Sequence, residues 1–254
     1  MTADFIIAEL QFVGTPAKAA HLQRFFKTGP GQYGEGDVFI GVVVPHTRSI
    51  AKANLKMPLP ELRKLLRSDY HEARLCALLI LTERFKKASE KERSEIYAFY
   101  LKHADRANNW DLVDLTCPTI VGLYLLDKER DILYRMAESA CLWEQRIAIV
   151  STISFIRNGE FADTFALAEK LLSHPHDLIH KAVGWMLREV GKRDREALTA
   201  FLEQHALRMP RTALRYAIEH YPEPQRQYFL RGKKYDWQLF SGQDTTPEGL
   251  TAES

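Results

Sequence analysis

The sequence predicts an all-α protein: helical hairpins stacked into a curved solenoid with a basic concave groove. Three observations carry this. Helix-start signals and helical apolar spacing recur along almost the whole chain. The segments between them are only a few residues long, as antiparallel helix pairs require. A weak internal repeat of about 35 residues, the length of a two-helix unit, runs from position 74 to position 215.

Taken in order, Thr15-Pro16 opens a helix with a capping hydroxyl and Pro at the first helical position, and Ala19, Leu22 and Phe26 follow at helical spacing. Residues 28–40 are glycine-rich and read as an ordered loop. Short helices are expected over 45–55 and 60–66, again with Pro at or near the start. A longer one spans 68–85, with Leu75, Leu78, Leu79 and Leu81 on its core face, and Ser89 caps the next, to about His103. Pairs continue at 110–126, 129–139, 142–157, 160–172, 176–190, 194–207 and 210–220. Asn158-Gly159 and Gly191 stand where helix C-caps belong. Val38–Val44 is β-branched but too short and isolated to define a sheet. The pattern is that of HEAT-like repeats. One domain is expected over 1–231, followed by a polar tail at 232–254.

At 254 residues, 46% hydrophobic and 27% charged, the chain has an ordinary soluble composition and can bury a continuous core. A net charge of +2 does not announce a nucleic-acid binder, so any polyanion site must come from how the charges are arranged. Cys76, Cys117 and Cys141 form no C-x-x-C pair and read as buried small apolar side chains in a reducing compartment. The N-terminal Phe5-Ile-Ile-Ala is interrupted by Glu9, and no run of 18 apolar residues occurs. A cytoplasmic protein with no membrane span is expected.

The repeat places Arg74, Arg146, Lys181 and Arg215 at one register, with Asp114 between the first two. Equivalent positions of stacked units form a line along one face, so a cationic track holding one carboxylate is predicted. Arg211 shares a face with Arg215, and Arg188, Lys192 and Arg193 cluster near a helix end. Trp110 lies four residues before Asp114 and Trp185 four after Lys181, so both indoles can join the line. Trp143, three residues before Arg146, is a further candidate. Aromatics interleaved with cations favour nucleic acid over a generic acidic partner. Spacing alone equally fits a buried Asp114–Arg146 pair bracing two repeats, with the tryptophans as core filler. Asp111 reads as an early-turn acid favoured by the helix dipole.

Two other motifs lack context. Gly29-Pro-Gly-Gln-Tyr-Gly34 satisfies G-x-G-x-x-G, yet follows a helix rather than a strand and reads as a backbone turn. His176-Asp-Leu-Ile-His180 resembles the zinc-protease H-E-x-x-H, but no third ligand stands at a plausible spacing. With His174 it reads as a solvated or phosphate-facing cluster, and no metal is expected.

At Asn109-Trp-Asp-Leu-Val-Asp114, Trp143-Glu-Gln-Arg146-Ile-Ala, Val183-Gly-Trp185-Met-Leu-Arg-Glu and Gly41-Val-Val-Val-Pro45, the chain resembles the AlkD-type DNA alkylation-repair glycosylases over roughly residues 5–230. The resemblance implies excision of 3-methyladenine- and 7-methylguanine-type bases from double-stranded DNA by a monomer without metal or organic cofactor. It implies Asp114 as the catalytic carboxylate, Trp110 and Trp185 as contacts at the lesion nucleotide, and Arg146 as a basic partner near Asp114 and the DNA backbone. Arg74, Lys181, Arg211 and Arg215 would grip the DNA. Val43 departs from the pattern, standing where a polar side chain is expected. A non-catalytic HEAT-like scaffold for nucleic acid or protein is the alternative.

Overall fold

The computed structural model describes residues 1–231; the tail expected at 232–254 lies outside them. Helices α1 (Ala3–Val13) and α2 (Pro16–Phe25) are each capped by a threonine hydroxyl, Thr2 and Thr15. The ordered loop follows, then α3 (Val44–Ala53), α4 (Leu59–Leu66), α5 (His71–Lys87) and α6 (Glu90–Lys102), the last with Ser89 as its cap. Next come α7 (Trp110–Asp114), α8 (Asp131–Ala137), α9 (Leu142–Ser151), α10 (Ile153–Arg157) and α11 (Ala162–Leu171). The series ends with α12 (Asp177–Arg193), α13 (Arg195–His205), α14 (Arg211–Ala217) and α15 (Glu223–Arg231). Among the described residues the β pairing is one isolated bridge, Val38 to Tyr70.

The helices that carry the repeat register pack in a row: α5 on α7, α7 on α9, α9 on α12 and α12 on α14. The intervening helices form the second layer, and one apolar core runs between the layers from Ala3 to Phe229. Leu75, Leu78, Leu79 and Leu81 all lie in it, as their spacing predicts. Gly184 permits the close approach of α12 to α14, since a Cβ there would meet the Ala213 carbonyl of α14 at 2.5 Å.

Local geometry departs from expectation in places. The helix expected over 110–126 breaks after Asp114 and resumes as a short π-helical turn at Pro118–Gly122. Pro118 supplies the reason: it has no N–H to give the Asp114 carbonyl, although Cys117 before it keeps helical backbone at φ −61°, ψ −32°. The helix expected over 142–157 is divided at Thr152, whose hydroxyl bonds back to the Ile149 carbonyl at 2.7 Å. Gly159 does follow a helix end, at φ +79°. Gly191 does not: it sits inside α12, where a Cβ would meet the Leu198 side chain at 2.5 Å. Cys76 and Cys117 are buried, with thiols pushed up by burial, whereas Cys141 is half-exposed. No described helix is long and apolar enough to cross a membrane.

Candidate functional site

Asp114 closes α7, and that five-residue helix is held in place from its N-terminal end. Asn109 caps it, its side-chain oxygen accepting from Trp110 N at 2.8 Å, while its amide donates to Asp37 at 3.3 Å. Asp111 does stand in the first turn of α7, and it is buried, its carboxylate meeting His71 Nε2 at 2.9 Å. His71 Nδ1 meets Asp37 at 3.0 Å from the other side. Burial opposes charge on this imidazole, but the Asp111 charge and the bonds to both carboxylates outweigh it and raise its pKa to about 9. His71 is therefore an imidazolium at neutral pH, donating from both nitrogens. Burial likewise opposes ionisation of Asp37, yet the His71 bond and Arg74 hold its carboxyl below the ordinary range.

Arg74 belongs to this cluster and not to the groove. It is 1% exposed, donates to Asp37 at 2.5 Å, and gives its other terminal nitrogen to the carbonyls of Ser68 and Asp69. The expectation that it contacts DNA is corrected: desolvation of a guanidinium is offset here by a buried carboxylate that the repeat register does not reveal.

Asp114 and Arg146 form a two-pronged pair, Nε to Oδ1 at 2.8 Å and Nη2 to Oδ2 at 2.7 Å. The third prong, Nη1, donates to the Leu178 carbonyl in the first turn of α12 at 2.6 Å. Both sequence readings of the pair are thus partly realised. It braces α7, α9 and α12, and the Asp114 side chain, 15% exposed, still edges a cleft. Burial raises the Asp114 carboxyl above its ordinary value, with Arg146 pulling the other way. Arg146 restrains this rise without cancelling it. All three nitrogens of the Arg146 guanidinium are thus engaged within the protein, and its side chain lines the cleft.

The cleft, about 640 Å³, is walled by Trp110 and Trp185 together with Asp114, Arg146, Lys181 and Arg188. Lys27, Tyr33, Phe25 and Tyr216 complete its rim with His176 and Asp177. Its lining carries Lys27, Arg146, Lys181 and Arg188 against Asp114 and Asp177, so its charge balance is cationic. Lys181 pairs with Asp177 at 2.8 Å and Arg188 with Glu219. Arg215 is exposed one helix further along, beside the lining residue Tyr216, and Arg211 is exposed and donates to the Leu230 carbonyl at 2.7 Å. Trp143 is buried, with Tyr33 packed edge-on at 6.3 Å.

Behind Trp110, Phe26 stacks at 5.1 Å and Phe25, 56% exposed, presents an edge at 6.1 Å. These two phenylalanines, with Lys27 and Tyr33, are among the site residues that sequence reasoning missed. Their signal was weak: a Phe-Phe-Lys run at a helix end, entering a glycine-rich loop. Val43 caps α3 without a side-chain bond and lines an apolar hollow that reaches Trp110 and Asp114, which is why no polar residue is needed there.

The histidine cluster binds its own backbone. His176 Nδ1 accepts from Leu178 N at 3.1 Å as the cap of α12, and His180 meets the His174 carbonyl. No group of three or more His, Cys, Asp or Glu among the described residues is arranged to hold a metal ion. The G-x-G-x-x-G segment is a series of turns, with Gly31 at φ +73°.

The profile of DNA alkylation repair enzymes matches residues 6–221. The chain belongs to the DNA alkylation repair enzyme family. That span includes every residue of the cleft and helices α2 to α14. A solved structure of a "predicted DNA alkylation repair enzyme" from Enterococcus faecalis superposes with a TM-score of 0.64, covering 83% of this chain and 97% of that one. At 17% identity this likeness shows a shared fold. No curated protein sequence matches the chain. Family membership and the helical-repeat fold agree with the resemblance read from Trp110–Asp114, Arg146 and Trp185.

Proposed function

We propose that this alkylation-repair protein is a DNA glycosylase that hydrolyses the N-glycosidic bond of cationic N3- and N7-alkylated purines, with Asp114 as its catalytic group. One observation supports it above the others. A carboxylate gripped at both oxygens by Arg146 stands at the edge of an open cationic cleft between two indoles.

Cleavage of an ordinary glycosidic bond needs an acid for the leaving oxygen as well as a second carboxylate. An N3- or N7-alkylated purine already carries positive charge, so it departs neutral without a general acid, metal or organic cofactor. What needs stabilising is the cationic deoxyribose and the water that attacks it. Asp114 can serve both as an anion opposite the sugar and as a hydrogen-bond acceptor for the water. Opposite unit charges ~4 Å apart at an effective dielectric of ~20 attract by about 4 kcal/mol. Realised only in the transition state, that is on the order of a thousandfold in rate. Trp110 and Trp185 would meet the electron-poor nucleotide with their π faces, at about 0.5–2 kcal/mol each.

The decisive experiment incubates purified protein with methylated duplex DNA and identifies the freed bases. Wild type should release 7-methylguanine, and Asp114→Asn should keep DNA binding while releasing it about a thousandfold more slowly. Equal release by the two proteins removes Asp114 as the catalyst. Salt-sensitive DNA binding with no base release by wild type would instead favour the scaffold reading, in which Asp114–Arg146 is only a brace.

A further inference from the structure

The glycine-rich segment after α2 is absorbed by neither the helical stack nor the catalytic pair, yet it is firmly built. Its far end is pinned by Asp37 within the His71–Arg74 cluster. The Glu72 carboxylate also accepts the backbone N–H groups of Ile40, Gly41 and Val42 at 2.8–3.1 Å. At its near end the chain reverses on itself: Gly34 N donates to the Lys27 carbonyl at 3.2 Å. Lys27 and Tyr33 therefore flank the neck of a small loop, and both line the cleft that holds Asp114.

Lys27 stands apart from the other cations of that lining. Arg146 is matched by Asp114, Lys181 by Asp177 and Arg188 by Glu219, whereas Lys27 has no carboxylate partner among the described residues. It also has φ +53°, a left-handed conformation that costs a non-glycine residue about 1 kcal/mol or more and that tends to occur at ligand sites. The Tyr33 phenol lines the same cleft as Trp110. A phenol carries one O–H that it can donate to an anion. That proton is retained at neutral pH, because burial raises the phenol above its ordinary value despite the charges of Lys181 and Arg146.

An unpaired ammonium and a phenolic donor on one rim, in a cationic cleft, select an anionic oxygen rather than a base edge. We propose that Lys27 and Tyr33 form a clamp for one backbone phosphate of the DNA strand that carries the lesion, beside the nucleotide facing Asp114. The clamp rests on the reading of the cleft as the lesion site.

The test measures equilibrium binding of the full chain to a duplex with a single 7-methylguanine, as a function of salt. It uses wild type, Lys27→Met and Tyr33→Phe, with melting temperature as the folding control. Both side chains lie on the rim, so both variants should melt close to wild type. Each should raise Kd about tenfold. Lys27→Met should also reduce the slope of log K against log salt by about one, while Tyr33→Phe leaves it unchanged because the phenol is neutral. A set of duplexes with a neutral methylphosphonate at successive linkages locates the contact. At one linkage beside the lesion, wild type should lose its advantage over both variants. Undiminished penalties at every linkage, or no penalty on unmodified DNA, would overturn the clamp. These readouts are of binding, so a wild type that binds but frees no base refutes the glycosylase reading and leaves the clamp to be judged separately.

Discussion

Asp114 is subject to two opposed effects of similar origin. Burial penalises its charge, and the guanidinium that helps bury it restores much of what is lost. A group that acts as an anion is active above its pKa and inactive below it. The acid limb of kcat/KM for 7-methylguanine release should therefore lie above the ordinary carboxylate value of 3.8. Replacing Arg146 by Met removes the force that lowers this pKa, so the limb should move further up as well as the rate falling. A pH–rate profile of Arg146→Met with its acid limb unmoved would separate Arg146 from the ionisation of Asp114. At this scale the sequence was partly legible. Trp110, Asp114, Arg146 and Trp185 share a face because helical spacing puts them there, and the cleft brings all four together. Arg74 obeys the same register but sits one helix earlier, where Asp37 and His71 replace solvent. Register fixes which way a side chain starts out from its helix. It does not record the partner that a distant loop supplies.

The element on which the site depends is α7, five residues long and too short to be stable as a helix by itself. Its stability is borrowed from the imidazolium of His71, which ties Asp111 of α7 to Asp37 of the loop, with Arg74 on the other side of Asp37. The folded pKa of His71, about 9, lies above its unfolded value of 6.5. The contribution is therefore complete below pH 6.5 and is lost as pH rises through 9. A shift of that size corresponds to about 3 kcal/mol. Urea unfolding across this interval should show wild type losing stability on that order, and His71→Gln, lower throughout, should lack the step. Parallel pH dependences in the two proteins would exclude a charged His71. Capping signals such as Thr15 and Ser89 made helix starts readable, since a cap acts within a few residues. The break after Asp114 was less readable, although Pro118 is the local cause. Apolar spacing continues across it, so the period by itself does not show the interruption. The tie from the loop to α7 was beyond reach although His71 and Asp111 stand three residues before Arg74 and Asp114 in the repeat, because Asp37 comes from a loop whose path the helical pattern does not give.

Over the whole molecule, a repeat of about 35 residues translates into a row of helices, α5, α7, α9, α12 and α14, packed in sequence. That was visible in the chain because each unit must solve the same burial problem. The charge of the resulting surface was visible only in part, since carboxylates off the register, Asp177 and Glu219, reach back to Lys181 and Arg188. An exposed pair of this kind contributes little to stability and exchanges readily for a stronger anion. Lys181 can thus pass from Asp177 to a phosphate, and Arg215, exposed on α14, lies farther along the same row. Each phosphate neutralised adds close to one to the slope of log K against log salt. Replacing both Lys181 and Arg215 by Ala should therefore reduce the slope by about two, with little change in melting temperature. Arg74→Met should do the reverse: the slope stays, while loss of a buried ion-pair partner destabilises the fold by about 3–5 kcal/mol. An unchanged slope in the double variant would take both cations out of the DNA footprint. A reduced slope in folded Arg74→Met would mean that the buried cluster opens when DNA binds.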